Sequence, residues 1–202
     1  SDPDKAWDAK VEHGCELKAS FRVVGKHSID FAVVSSLWML KVGHLYDAAL
    51  GPESYGTRLR PKHVDSPDQL GSPNELSLGT FSPYVKHFGQ WRRNGLNAMR
   101  KAIDDKKRVV AITVDVRQFY HRVCSDFLLK PKYIRIFNLD EKLTSDDRRF
   151  TRAIINAIHA WARRTPLHQE DASIGLPVGL PAARLIANAS LAELDRTIKR
   201  EL

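Results

Sequence analysis

One carboxylate in this chain stands where chemistry could be done. Asp115 follows the apolar run "RVVAITV" (108–114), and two aromatic residues, Phe119 and Tyr120, come four and five positions behind it. An acid directly after a buried strand sits where backbone carbonyls and a carboxylate converge. Such a corner suits a hard divalent cation such as Mg²⁺, which takes one or two carboxylates together with substrate phosphates. A flat ring beside a metal-bound nucleoside triphosphate can pack under its sugar and exclude a 2′-hydroxyl. A plainer reading fits the same residues: an Asp capping a strand end, with Phe119 and Tyr120 in the core. Spacing alone does not separate the two.

Two further stretches carry chemistry-compatible spacing. In "GLPVGLPAARLIAN" (175–188), Gly175 and Gly179 permit positive φ or close backbone approach, and Pro177 and Pro181 stiffen the chain. A loop of this kind before a helix can lie along a base pair or a sugar; it can equally be an ordinary loop–helix junction. In "SYGTRLRPK" (54–62), Arg58, Arg60 and Lys62 alternate. In an extended segment they would share a face, suited to a triphosphate or a nucleic-acid backbone, or simply to solvent.

The composition narrows the partners. Lys and Arg number 32 against 24 Asp and Glu, a net charge of +8, which favours an anionic partner, nucleic acid first. No apolar run approaches the ~18–20 residues of a membrane helix, so no membrane partner is expected. The start, "SDPDKAWDAKVEHG", is no signal peptide and lacks an initiator Met. The chain is therefore expected to be processed, tagged or cut from something longer. Cys15 and Cys124 lie far apart and read as reduced thiols of a cytoplasmic protein. No His falls in an HxH or HExxH pattern, so no zinc site is expected.

Several elements would position these residues. Residues 1–27 are polar and irregular. A helix starts at Ser28, with Phe31, Val34, Leu37, Leu40 and Leu45 as its apolar face, and stops at Gly51-Pro52. Residues 65–83, rich in Ser, Pro and Gly, read as a loop. A second helix covers about 88–104, with Leu96, Met99 and Ile103 on one face. "RVVAITV" is the clearest strand, and its continuous β-branched run predicts burial on both faces. A third helix covers about 146–164, with Phe150, Ile154, Ile158 and Trp161 facing one way and acids at its start, as the helix dipole prefers. Residues 175–202 form a Gly/Pro loop leading into a fourth helix, with Leu191, Leu194, Ile198 and Leu202 periodic.

The order and spacing of the three stretches resemble a bacterial reverse transcriptase. "VDVRQFY" is similar to that family's motif A, a strand ending in Asp with aromatics four and five residues on. "GLPVG", "PAARLIAN" and "LAELD" resemble motif B and its helix, and "SYGTRLRP" resembles a bacterial fingers motif. The resemblance spans roughly residues 28–202. Val178 stands where retroviral, group II intron and retron enzymes carry Gln, and Ala183-Arg184 where intron and retron enzymes carry Ser-Pro. "GLPVG" followed by "PAAR" looks more like the abortive-infection and unknown-group enzymes of antiphage defence.

The resemblance implies an α+β fold: the fingers and partial palm of a right-hand polymerase, with helices flanking an antiparallel palm sheet. It implies an N-terminal extension (1–27), a fingers-like region (28–107) and a partial palm (108–202). The implied activity is RNA-directed DNA polymerisation, adding dNTPs to a 3′ hydroxyl with two Mg²⁺ ions. Asp115 would be the catalytic metal ligand, helped by the Val116 carbonyl. Gln118, Phe119, Val178 and Gly179 would lie at the nucleotide, Tyr120 would be its steric gate, and Arg58 and Arg60 would clamp phosphates. The partners would be DNA or RNA, dNTPs, and a missing C-terminal half or partner chain. The family's aromatic-x-Asp-Asp motif is absent; "SDDRR" (145–149) reads as a helix start. The chain alone is therefore expected to be inactive. Two alternatives stand beside this: a group II intron or retron type enzyme, and a non-catalytic nucleic-acid-binding module.

Overall fold

The computed structural model describes residues 26–60, 81–164 and 174–201. They form a helical body. Helix α1 (Ile29–Trp38) starts where Ser28 accepts a hydrogen bond from the Phe31 amide at 3.2 Å, the side-chain cap expected of Ser. It runs without a break through a π-helical turn (Met39–Gly43) into α2 (His44–Ala48). The buried face is Ser35, Trp38, Met39, Val42 and Tyr46, whereas Val34 and Leu37, expected inside, are exposed. Helix α1 is apolar nearly all round, so periodicity does not select its inner face. Polar anchors do. Trp38 Nε1 donates to Thr151 Oγ1 at 3.0 Å, and Ser35 Oγ accepts from the Ala182 amide at 2.9 Å.

Helix α3 (Tyr84–Asp104) buries no residue. A single turn, α4 (Phe119–Arg122), a 3₁₀ turn (Ser125–Leu129) and α5 (Pro131–Ile136) follow. Helix α6 (Ser145–Ala162) opens on a capping box between Thr144 and Asp147. "SDDRR" is thus its first turn. The face led by Ile154 and Ile158 is buried, with Phe150 partly so. Helix α7 (Pro181–Ser190) starts earlier than the periodicity of 191–202 suggests, with Pro181 in its first turn. It is the most deeply buried helix: Ala182, Ala183, Leu185, Ile186, Ala187 and Ala189 all face the interior. Helix α8 (Ala192–Glu201) is mostly exposed, Leu194 and Ile198 included. Helix α7 packs on α1, and α6 packs on α1 and on the 3₁₀ turn.

The described residues do not form the expected α+β fold with its antiparallel sheet. Among the described residues there is no strand, only the isolated bridges Leu59–Phe81 and Cys124–Ile174. The run "RVVAITV" does not join a sheet, and Val110, Ile112 and Val114 are 83%, 82% and 86% exposed. The physical reason is pairing. A strand is completed by a neighbour that takes its amides and carbonyls and covers its faces, and no described segment lies alongside 108–116. The β-branched composition therefore marks a segment suited to a pleated, half-buried surface, and the tertiary partner that would make it a strand is not among the described residues.

Candidate functional site

The segment after "RVVAITV" turns at Gln118, whose backbone is left-handed at φ 55° and ψ 37°. Such a conformation costs a non-glycine residue about 1 kcal/mol. Here it ends the exposed run and leads Phe119 and Tyr120 into helix α4, where both pack half-buried against the core with their rings edge to face at 6.0 Å. Two backbone bonds then tie this turn to the Gly/Pro loop. The Leu176 amide donates to the Tyr120 carbonyl at 2.7 Å, and the Gly175 amide to the Val123 carbonyl at 2.9 Å. The Cys124–Ile174 bridge extends the contact. Gly175 (φ 115°) and Gly179 (φ 104°) both take backbone angles that side chains disfavour, which lets the loop double back before Pro181.

The consequence is an open cavity of about 570 Å³ that both stretches line. Asp115, Val116, Gln118, Phe119 and Tyr120 enter from one side, Val178 and Gly179 from the other. His121 and Arg184 complete the lining. Neither carried a predicted role. Arg184 stands on the first turns of α7, over the Phe81 ring at 5.0 Å, and its signal was available: a lone cation just after a glycine loop.

Asp115 is exposed, and it is the one carboxylate among the described residues lining the cavity. Two ions ~3.5–4 Å apart need carboxylates from more than one position. These residues therefore do not fit a two-Mg²⁺ centre.

Arg58 and Arg60 are not brought to this cavity. Arg60 is exposed. The Arg58 guanidinium is turned inward: Nε donates to Asp47 Oδ1 at 3.1 Å, and its terminal nitrogens donate to the carbonyls of Asp47, Gly51 and Ser54. Asp47 also accepts from the Leu59 amide at 3.3 Å. Burial pushes the Asp47 carboxyl above the usual aspartate range even though Arg58 and these bonds pull it down. Three other residues of the "SYGTR" stretch meet α7. Ser54 Oγ donates to Asn188 Oδ1 at 3.3 Å, and Gly56 lies so close to the Asn188 amide that a Cβ would collide with it. Asn188 Nδ2 in turn donates to the Thr57 carbonyl at 3.3 Å. In this geometry the stretch joins α2 to α7. Lys62 lies outside the described residues.

No family model matches the chain, no curated protein matches it in sequence, and no solved structure matches its fold.

Proposed function

We propose that the chain is the nucleotide-holding portion of a reverse-transcriptase-type nucleotidyltransferase of the antiphage-defence kind. The reaction class is the joining of a 3′ hydroxyl to the α-phosphate of a dNTP with release of pyrophosphate. One observation supports this reading above the others. Two stretches far apart in sequence, 115–120 and 178–179, line a single cavity together with a cation, Arg184. A cavity of this size falls within the ~300–1,000 Å³ usual for small-molecule sites. In it the Tyr120 ring would wall the sugar, Gly179 would leave room for it, and Arg184 would meet phosphate oxygens. The lone carboxylate means that the described residues would bind a nucleotide without turning it over.

Competition between dNTPs and rNTPs for the purified chain tests this. The expected result is saturable dNTP binding, preferred over rNTP, with the preference narrowed in Tyr120→Ala and affinity lowered in Arg184→Ala. No saturable binding at about 1 mM, where binding free energy falls to about −4 kcal/mol, would overturn it.

A second reading, a non-catalytic nucleic-acid-binding module, draws on helix α3. Tyr84 stacks on Phe88 at 5.6 Å, and Trp91 continues the row. All three are exposed, and the helix carries Lys86, Arg92, Arg93, Arg100 and Lys101. Exposed rings beside cations make a stacking platform for single strands. Affinity falling with salt at a log–log slope of about −0.7 per phosphate contact, with no nucleotide preference at the cavity, would favour this module.

A further inference from the structure

Three side chains with no sequence spacing in common meet outside the lining of that cavity. Cys124 follows α4 and forms the bridge to Ile174, Asp126 lies in the 3₁₀ turn, and His159 is in the last turn of α6. Their ligand atoms, Sγ, a carboxylate oxygen and Nε2, all lie within 4.8 Å of one another. Cys124 Sγ is 3.5 Å from Asp126 Oδ2, and His159 Nε2 is 3.8 Å from the same oxygen. The second distance is too long for a hydrogen bond, and His159 Nε2 is buried with no hydrogen-bond partner. A buried ring nitrogen in that state asks for an explanation.

We propose that Cys124, Asp126 and His159 form a binding site for a transition-metal dication of the Zn²⁺ class. The distances suit it. Tetrahedral bonds of ~2.3 Å to sulfur and ~2.0–2.1 Å to nitrogen and oxygen place neighbouring ligand atoms roughly 3.3–3.6 Å apart. Two of the three separations are already within a few tenths of an ångström of that. The charges suit it too: a thiolate and a carboxylate offset a dication, and the imidazole binds neutral through the Nε2 lone pair with its proton on Nδ1. On binding, the Cys124 thiol proton leaves to solvent. Sulfur and imidazole donors select against Mg²⁺, which prefers oxygen alone. Three protein ligands leave a fourth position for water, and the Asp126 side chain, 34% exposed, opens that side to solvent.

The site would also clamp the fold. It ties the Cys124–Ile174 bridge and the 3₁₀ turn to α6, and that bridge neighbours the bonds holding the Gly/Pro loop to Tyr120. The metal would therefore stiffen the attachment of the Gly/Pro loop, part of which lines the cavity, without lining the cavity itself. The expectation of no zinc site rested on sequence spacing, which does not register Cys124 and His159 meeting across two elements. This inference does not rest on the nucleotide reading, since the metal's binding needs no nucleotide.

The test is metal binding by the purified 202-residue chain, stripped with chelator and then titrated with Zn²⁺ or Co²⁺ alone. The expected result is one equivalent of Zn²⁺ bound, undisturbed by excess Mg²⁺, and a Co²⁺ adduct with tetrahedral d–d bands and a thiolate charge-transfer band. Cys124→Ser should abolish the charge-transfer band. His159→Gln and Asp126→Asn should weaken Zn²⁺ by more than about 100-fold, since even outer-shell partners are worth 10–100-fold. Cys15→Ser should change none of this. Circular dichroism identifies any variant that fails to fold, and the parent's Co²⁺ spectrum together with Cys15→Ser still decides the matter in that event. Loss of the thiolate band in Cys15→Ser, displacement by Mg²⁺, or no Zn²⁺ retained by the parent would overturn the proposal.

Discussion

Helices α6 and α3 are written in the same amphipathic style and end in opposite surroundings. In α6, Ile154, Ile155 and Ile158 are fully enclosed between α1 and the 3₁₀ turn. In α3, the row Tyr84, Phe88 and Trp91 and the face of Leu96 and Ile103 stay in solvent, and the exposed run 108–116 continues directly from it. Pattern and propensity are alike in the two regions; the available partner is not. Burial of an apolar face is a property of the pair that packs, and helix formation by itself supplies little of the stabilisation. Residues 84–118 thus carry apolar surface of the kind that usually marks an interaction site, whereas α6 and α7 hold the body together.

The sharpest way to break this comparison is to truncate one isoleucine in each region. Ile155→Ala should cost about 3 kcal/mol, the usual price of a cavity in an enclosed core. Ile112→Ala should change stability by less than about 0.5 kcal/mol, as exposed substitutions do. Urea unfolding measures both. If Ile112→Ala costs as much as Ile155→Ala, the 108–116 run is buried in solution and the contrast fails.

Next in size is Arg58. Replacing it with Leu leaves the Asp47 carboxylate enclosed without its cation and strips donors from the Gly51 and Ser54 carbonyls. The expected loss is about 3 kcal/mol at neutral pH, while Arg60→Ala, at an exposed position, should stay within about 0.5 kcal/mol. Equal and small effects at both positions would mean that Arg58 is not structural and could face a ligand.

Gly56→Ala comes third, at about 1.5 kcal/mol, the range expected when a methyl group is forced into a filled space. The space is filled by Asn188, so the cost should shrink in an Asn188→Ser background. That coupling is measurable as a double-mutant cycle. Additive costs would mean that the glycine is needed for something other than room for Asn188.

These residues also show what was legible beforehand. The start of α1 at Ser28, the span of α6 and the "SDDRR" helix start were readable because caps and periodicity act over a few neighbouring residues. The inner face of α1 was not, because an all-round apolar helix takes its orientation from distant bonds, Trp38 to Thr151 and Ala182 to Ser35. The run 108–114 reads as a buried strand yet is exposed, because β-branched residues report what a segment would do beside a partner. In the candidate site, 115–120 and 178–179 do share a cavity. Arg58 does not join them, since alternation along an extended segment carries no information about Asp47. Cys124 and His159 were beyond sequence reach for the same reason: only the packing of α6 on the 3₁₀ turn brings them together.

The smallest expected effect is in the pH dependence of stability, and it distinguishes a tightly enclosed Asp47–Arg58 pair from a solvated one. Asp47 is raised chiefly by desolvation, against the pull of Arg58, of the Leu59 amide and of the charge on His87. In the unfolded chain Asp47 returns to the ordinary value of about 3.9. Between that value and the raised folded one, the folded state holds the proton that the unfolded state has lost. Stability contributed by this group is therefore fully present below about pH 3.9 and is lost as pH rises through the folded value. Asp47→Asn should remove this slope while keeping an oxygen for Arg58 and the Leu59 amide. Arg58→Leu should steepen it, because the opposing charge is gone and only burial remains. A parent profile with the opposite slope, unchanged by Asp47→Asn, would show that Arg58 outweighs burial and that the pair is wetter than its geometry indicates.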